Sequence, residues 1–326
     1  MSNEQNKSCC PGGFKTMCGG QALIEGIMMR GPKKQAAVVR RPDGELEIRE
    51  EELKFIKDRY PVLGWPLIRG VITFLDSMVN GVKALMWSAE FFPEDEENPE
   101  EPSKFEVWLE KKLGNEKMTS LIIALAGILG IGLSIVLFFL LPTLLGGLVS
   151  LVTKSMLVRN LAESILKIVI FMAYLALCSQ MKDIRRVFQY HGAEHKTIFC
   201  YEAGLPLTVG NVRKQSRHHP RCGTSFLFVV IIVSILVSTV VFSIWPIYNT
   251  ILRFLAHLVM LPAIVGVSYE FNRWCGRNDN ALTRVLTAPG LWLQNFTTFE
   301  PDDSMIEVGI KALELVLPER KGDDKW

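Results

Sequence analysis

Four runs of this chain are apolar for the length that a helix needs to cross a bilayer, and they leave few folds open. They cover residues 119–141, closed by Pro142, and 161–180, 224–244 and 251–271, each close to the ~20 residues that span the hydrocarbon core. Amides placed in lipid have no water to bond, so such runs must be helical. The fold class expected is mainly α: a polytopic membrane helical bundle of about four spans. Apolar residues make up 49% of the chain, and their concentration in these runs decides the class. Formal net charge is only +2, which gives no basic footprint for nucleic acid and leaves local charge asymmetry as the informative feature.

That asymmetry sets an orientation. Between spans two and three stand Lys182, Arg185, Arg186, Arg213, Lys214, Arg217 and Arg221, and after span four come Arg273, Arg277 and Arg284. The opposite connections carry little beyond Lys154 and Arg159. The positive-inside rule then puts both termini and residues 181–223 on the cytoplasmic side of the membrane. The seven cysteines, Cys9, Cys10, Cys18, Cys178, Cys200, Cys222 and Cys275, are an odd, scattered set that suits a reducing compartment better than a disulfide framework. The polar start, residues 1–15, has no apolar core of a signal peptide.

The remaining chain divides by composition. Residues 1–18 read as a flexible lead with Cys9, Cys10 and Cys18. Residues 19–60 predict a small cytoplasmic β element: Arg41-Pro42-Asp43-Gly44 is a turn, and Leu46 and Ile48 then alternate with Glu45, Glu47 and Arg49. The glycine-rich stretch before it carries Glu25 and Arg30 among apolar residues. It reads either as a backbone loop lining a site or as a strand and turn with a satisfied ion pair. Over residues 61–92, Arg69, Thr73, Asp76, Asn80 and Lys83 recur at steps of three and four, a narrow polar stripe on an interfacial amphipathic helix. Residues 93–118 are an acidic linker, and 119–271 hold the four spans. In the second span Glu163 and Lys167 are spaced as a helical ion pair. Residues 272–326 form a cytoplasmic C-terminal region, with a break at Pro289-Gly290 and a final amphipathic helix opened by a Ser304/Glu307 capping box.

The chemistry concentrates in the loop 181–223. In Tyr190-His191-Gly192-Ala193-Glu194-His195-Lys196, the histidines are four residues apart and leave one helical face together. Glu194 lies beside them, giving H-x-x-E-H, the inverse order of the H-E-x-x-H metalloprotease motif. Four of the chain's five histidines fall in this region. The second pair stands in Arg217-His218-His219-Pro220-Arg221-Cys222-Gly223, where His219 and Cys222 have the gap of a knuckle-like ligand pair. His191, His195, His219 and Cys222 together suit a divalent metal, zinc first. Four ligands would close the site and make it structural. Three would leave room for water and make Glu194 a general base. The competing expectation is a basic juxtamembrane belt on anionic headgroups. Arg217 and Arg221 are candidates for holding an anionic group, with His218 beside them. Glu270, at the cytoplasmic end of span four, is the candidate for an extra carboxylate around the site, and His257 is read as a satisfied packing residue.

These blocks, with Gly19-Gly20-Gln21-Ala22-Leu23-Ile24-Glu25-Gly26-Ile27-Met28-Met29-Arg30-Gly31-Pro32 and Glu300-Pro301-Asp302-Asp303-Ser304-Met305-Ile306-Glu307-Val308, resemble the YqhQ-like family of bacterial membrane proteins. The resemblance covers nearly all of the chain after Cys18. It implies a predicted metal-dependent enzyme and brings no substrate with it.

The function expected is a metal-dependent hydrolase at the membrane interface, acting on a lipid or membrane-embedded substrate at the cytoplasmic face. The partners expected are membrane lipids; a homo-oligomer is compatible with the sequence. Two other classes compete: a non-enzymatic scaffold or assembly factor stapled by metal, and a metal or ion transporter. The scarcity of charge at mid-depth in the first three spans speaks against a transporter.

Overall fold

Residues 19–52 build a four-stranded antiparallel meander, β1 (Gly19–Leu23), β2 (Gly26–Arg30), β3 (Lys34–Arg40) and β4 (Leu46–Glu52), paired in sequence order. The computed structural model describes residues 14–54, 60–92, 115–278, 280–318 and 323–324, with 115–124 as backbone only. Cys9, Cys10 and most of the acidic linker lie outside the described residues. The turn expected at Arg41-Pro42-Asp43-Gly44 joins β3 to β4. Gly44 takes φ +90°, and its amide donates to Arg41 O at 2.9 Å.

The stretch 19–32, one reading of which was a loop, is a hairpin, with Glu25 at φ +48° in the tight turn. Strand alternation sends its apolar residues to two different cores. Ile27, Met29, Ala36 and Val38 join Tyr190, Ala193, Ile306 and Leu313. Met28, Ala37 and Val39 join Ala84, with Trp87 packed alongside. β3 is therefore buried on both faces, while β4 is an edge with Ile48 39% exposed.

The first core is closed by α5 (Lys182–Glu202) and α10 (Asp303–Val316), and the second by α1 (Ile68–Ala89). These helices and the sheet belong to one compact unit, drawn from residues 14–92, 174–234 and 262–324. The region expected as a loop over 181–223 is mostly helix: α5, then the short α6 (Val209–Arg213). The reason is a continuous inward face, since Tyr190, Ala193, Thr197 and Ile198 are all 2% exposed or less. At Gly192 a Cβ would collide with Phe299 O, so only glycine admits that backbone.

α9 (Ala281–Thr297) also belongs here and runs unbroken through Pro289, contrary to the expected break. A proline inside a helix removes one hydrogen bond, and packing outweighs that loss: Gly290 lies tight against Ser225, and Leu293 and Gln294 are fully buried. The cap of α10 is also corrected. Asp302, not Ser304, accepts the Met305 amide at 3.0 Å, and Glu307 instead pairs with Arg40 at 2.7 Å.

Among the described residues, four helices are long and apolar enough to cross a membrane: Leu125–Leu151, Met156–Cys178, Gly223–Ile244 and Thr250–Arg277. The first consists of α2 (Asn115–Ile135), a π turn over Val136–Leu140, and α3 (Leu141–Leu148). Pro142, expected to end this span, does not. After the wide turn it falls in the opening turn of α3, where a missing amide costs little. The others are α4 (Met156–Cys178), α7 (Gly223–Ile244) and α8 (Thr250–Arg277). Residues 115–173 and 235–261 form the second compact unit. Inside it Glu163 pairs with Arg253 through Nε at 2.8 Å rather than with Lys167, because burial rewards the bidentate guanidinium. Lys167 Nζ lies 3.5 Å from the ring of His257, which is fully buried against Phe242.

Candidate metal centre

The ligand atoms of His191, His195 and Cys222 lie within 4.8 Å of one another. His191 and His195 come from successive turns of α5, with ring centroids 4.4 Å apart. Cys222 comes from the residue before α7, and its Sγ is 3.2 Å from His191 Nε2. Both rings are fixed from behind by carbonyls: His191 Nδ1 donates to Thr297 O at 2.8 Å and His195 Nδ1 to Arg217 O at 2.6 Å. Each Nε2 is thereby the ring nitrogen turned away from the backbone and, once deprotonated, the one that can take a metal; that of His191 lies against Cys222 Sγ.

Glu194 sits beside this triad, 5% exposed. Its Oε1 accepts the Gly20 amide at 3.0 Å, and its Oε2 is buried with no hydrogen-bond partner among the described residues. At Gly20 a Cβ would lie 3.0 Å from Glu194 Cδ and 2.7 Å from Met28 O, so the glycine permits this approach. Electrostatics are strongly shifted. Burial raises the Cys222 thiol, but His191 and His195 outweigh it and hold the thiol well below its usual value. Burial opposes a charged His191, yet Cys222 and Glu194 lift it to about 9. Burial pushes Glu194 upward against the pull of the two imidazoles.

His191, Cys222 and Glu194 line a cavity of about 550 Å³, and His219 lines it too. Its far wall is the polar stripe of α1, Arg69, Thr73, Asp76 and Asn80. Ile72 lines the cavity as well, while Leu75, Val79 and Val82 of the same helix are each more than half exposed. Arg30 also lines the cavity and pairs with Asp76 at 2.6 Å.

The structure does not bring His219 into the triad. Its ring is 5.5 Å from that of His195, its Nδ1 accepts the Arg221 amide at 3.3 Å, and its Nε2 is 3.7 Å from Glu202 Oε2. Burial drives it down to about 4, so it stays neutral. Arg221 lines the cavity but is paired with Glu202, and Arg217 spends its guanidinium on Thr298 O at 2.7 Å. His218 lies outside the lining. Glu270 is away from the triad, locked to Arg69, whose Nε lies 2.6 Å from Oε1. Glu25 and Arg30 are not paired with each other: Glu25 takes Arg186 and the Tyr190 hydroxyl. Cys18 lines the cavity, and burial lifts its thiol to about 11.

Two residues escaped sequence reasoning. Gln294, fully buried on α9, holds the loop by accepting the His219 amide at 2.7 Å and donating to His219 O at 2.8 Å. Glu202 ends α5 and gathers Arg221, His219 and the Thr16 amide. An amide directly after the apolar run Leu291-Trp292-Leu293 was the available signal for Gln294; Glu202 had none.

The model of a family described as "Protein of unknown function (DUF1385)" matches residues 65–319. The chain is 35% identical over 300 residues to a protein of Bacillus subtilis (strain 168) named "Uncharacterized protein YqhQ", covering 92% of each. No solved structure matches it.

Proposed function

Because the chain belongs to the DUF1385 family, whose description assigns no activity, its chemistry has to be read from its own residues, and we propose that it is a membrane-bound, metal-dependent hydrolase. One observation carries the reading: three convergent donors, two of them oriented by backbone carbonyls, stand beside a buried carboxylate with an unpartnered oxygen at the edge of a cavity. Three protein donors with an open side are the pattern of a catalytic site, whereas four close a structural one.

His191, His195 and Cys222 would hold a divalent ion, and two nitrogens with one thiolate suit zinc. When bound, the ion supplies Lewis acidity toward a water and toward a carbonyl or phosphoryl oxygen of the substrate. Glu194 has the base's place. Its Oε1 is anchored by Gly20, which leaves Oε2 to take a proton from water. The cavity wall on α1 is mostly polar inside and apolar outside, which supports a substrate drawn from the membrane, a lipid or an embedded peptide. The basic residues between α4 and α7 favour the cytoplasmic face, with both termini on that side.

Metal content of the full-length protein, purified without chelators, tests the reading. Near-stoichiometric metal should be lost in His191→Ala, His195→Ala and Cys222→Ser and kept in Glu194→Gln. Protein that carries and binds no divalent metal would overturn it.

A further inference from the structure

The second unit, residues 115–173 and 235–261, holds a polar cluster unrelated to the metal centre. Arg159, Asn160, Glu163 and Lys167 share one face of α4 by helical spacing. Arg253 and His257, one turn apart on α8, meet them, and Arg253 Nη2 reaches Asn160 Oδ1 at 2.5 Å. Every member is 6% exposed or less. Set the lysine aside, and two guanidiniums still share a single carboxylate, Glu163. An uncompensated buried charge is strongly unfavourable.

The leftover hydrogen-bonding capacity has the same sign. Arg159 Nε and Nη2, Arg253 Nη1 and Asn160 Nδ2 are buried donors with no hydrogen-bond partner among the described residues, and Thr143 Oγ1 is likewise unpartnered. Arg159 spends one nitrogen on Tyr248 O at 2.9 Å. Thr143 belongs to this group by packing. It shares a face of α3 with Gly146 and Gly147, where a Cβ would lie 2.5 Å from Glu163 Cγ and 3.7 Å from Arg159 Nη2, respectively. Excess positive charge and unsatisfied donors thus coincide in one buried place within the membrane-helix unit.

We propose that this cluster binds a phosphate oxyanion, held by Arg159 and Arg253 with Asn160 and Thr143 completing the donor set. Guanidinium forks match the oxygens of a tetrahedral oxyanion, and an amide and a hydroxyl add single bonds. A lipid headgroup phosphate and free inorganic phosphate present the same chemistry.

The test is binding to the delipidated full-length protein in detergent. Thermal unfolding is followed with added inorganic phosphate, and native mass spectrometry with added phosphatidylglycerol. One of the two should bind. Phosphatidylglycerol adducts without a phosphate effect identify a headgroup site, and a phosphate-induced rise in Tm identifies a free-anion site. Arg159→Gln should weaken the binding at least tenfold at unchanged helical content. Thr143→Val, which removes an unpartnered hydroxyl with little change of shape, should fold at least as well as the parent and still bind more weakly. The proposal fails if neither compound binds, if chloride at equal concentration has the same effect, or if Thr143→Val binds as the parent does.

Discussion

The backbone amide of Gly20 donates to Glu194 Oε1 at 3.0 Å across 174 residues of sequence. The first strand therefore holds the carboxylate that stands beside the histidine pair. The other carboxylate oxygen is buried with no hydrogen-bond partner among the described residues.

That contact sets up a paired test on adjacent glycines. A Cβ at Gly20 meets Met28 O at 2.7 Å and Glu194 Cδ at 3.0 Å, whereas one at Gly19 meets nothing within 4 Å. Gly20→Ala should destabilise by about 1–3 kcal/mol through overpacking. Gly19→Ala should stay within about 0.5 kcal/mol of the parent. Chemical denaturation of the two variants side by side reads the difference.

The donor geometry separates two histidines that look alike in sequence. His195 belongs to the triad, while His219 Nδ1 accepts the Arg221 amide and its Nε2 lies 3.7 Å from Glu202. His219→Ala should retain metal at near-parent stoichiometry, while His195→Ala should lose most of it. Chelator treatment followed by zinc titration checks the order.

Gln294 should be costly to replace. Its side chain satisfies both backbone groups of His219 and donates to Ser225 Oγ at 3.0 Å, all buried. Gln294→Leu removes the partners of those buried groups, and a loss of about 2–3 kcal/mol is expected. A lower Tm with unchanged helical content would be the signature.

A pH dependence follows at the cap of α10. Burial raises the Asp302 carboxyl, but the Ser304 hydroxyl and the Met305 amide outweigh it and hold it below the usual 3.8. The folded state thus favours the carboxylate. Its contribution is present above about pH 3.8 and is lost as pH falls through the lower folded value. Asp302→Ala should lose about 1 kcal/mol at neutral pH. Asp302→Asn should keep most of the cap and lose this part of the acid dependence, which denaturation curves between pH 2 and 6 would show.

Apolar patterning carried much of the architecture. Runs of membrane length became long apolar helices because hydrocarbon allows little else, and Arg41-Pro42-Asp43-Gly44 formed its turn because each residue suits its backbone angles. The i, i+4 spacing of His191 and His195 placed both rings on one face, as helix geometry requires. Direction and competition were harder to read. The stripe on α1 specifies a polar face but not that the face lines a cavity. The gap between His219 and Cys222 resembles a ligand pair, yet Glu202 and Arg221 claim the histidine first. Pro142 and Pro289 read as breaks because a local rule was applied where a π turn and tight packing prevail. Glu163 appeared paired along its helix, and the stronger partner came from another.

The burial of β3 on both faces has a consequence for the order of synthesis. One face is covered by α1, which follows the sheet closely, but the other waits for α5 and then for α10 near the end of the chain. Until the ribosome has released residues 303–316, Ile27, Ala36 and Val38 lack part of the cover that they share with Ile306 and Leu313 in the finished core. The nascent sheet must therefore persist half-covered while the first two apolar helices are made, and incompletely covered while the other two follow α5. A chain cut before Asp303 leaves that apolar face open, a surface on which such intermediates aggregate.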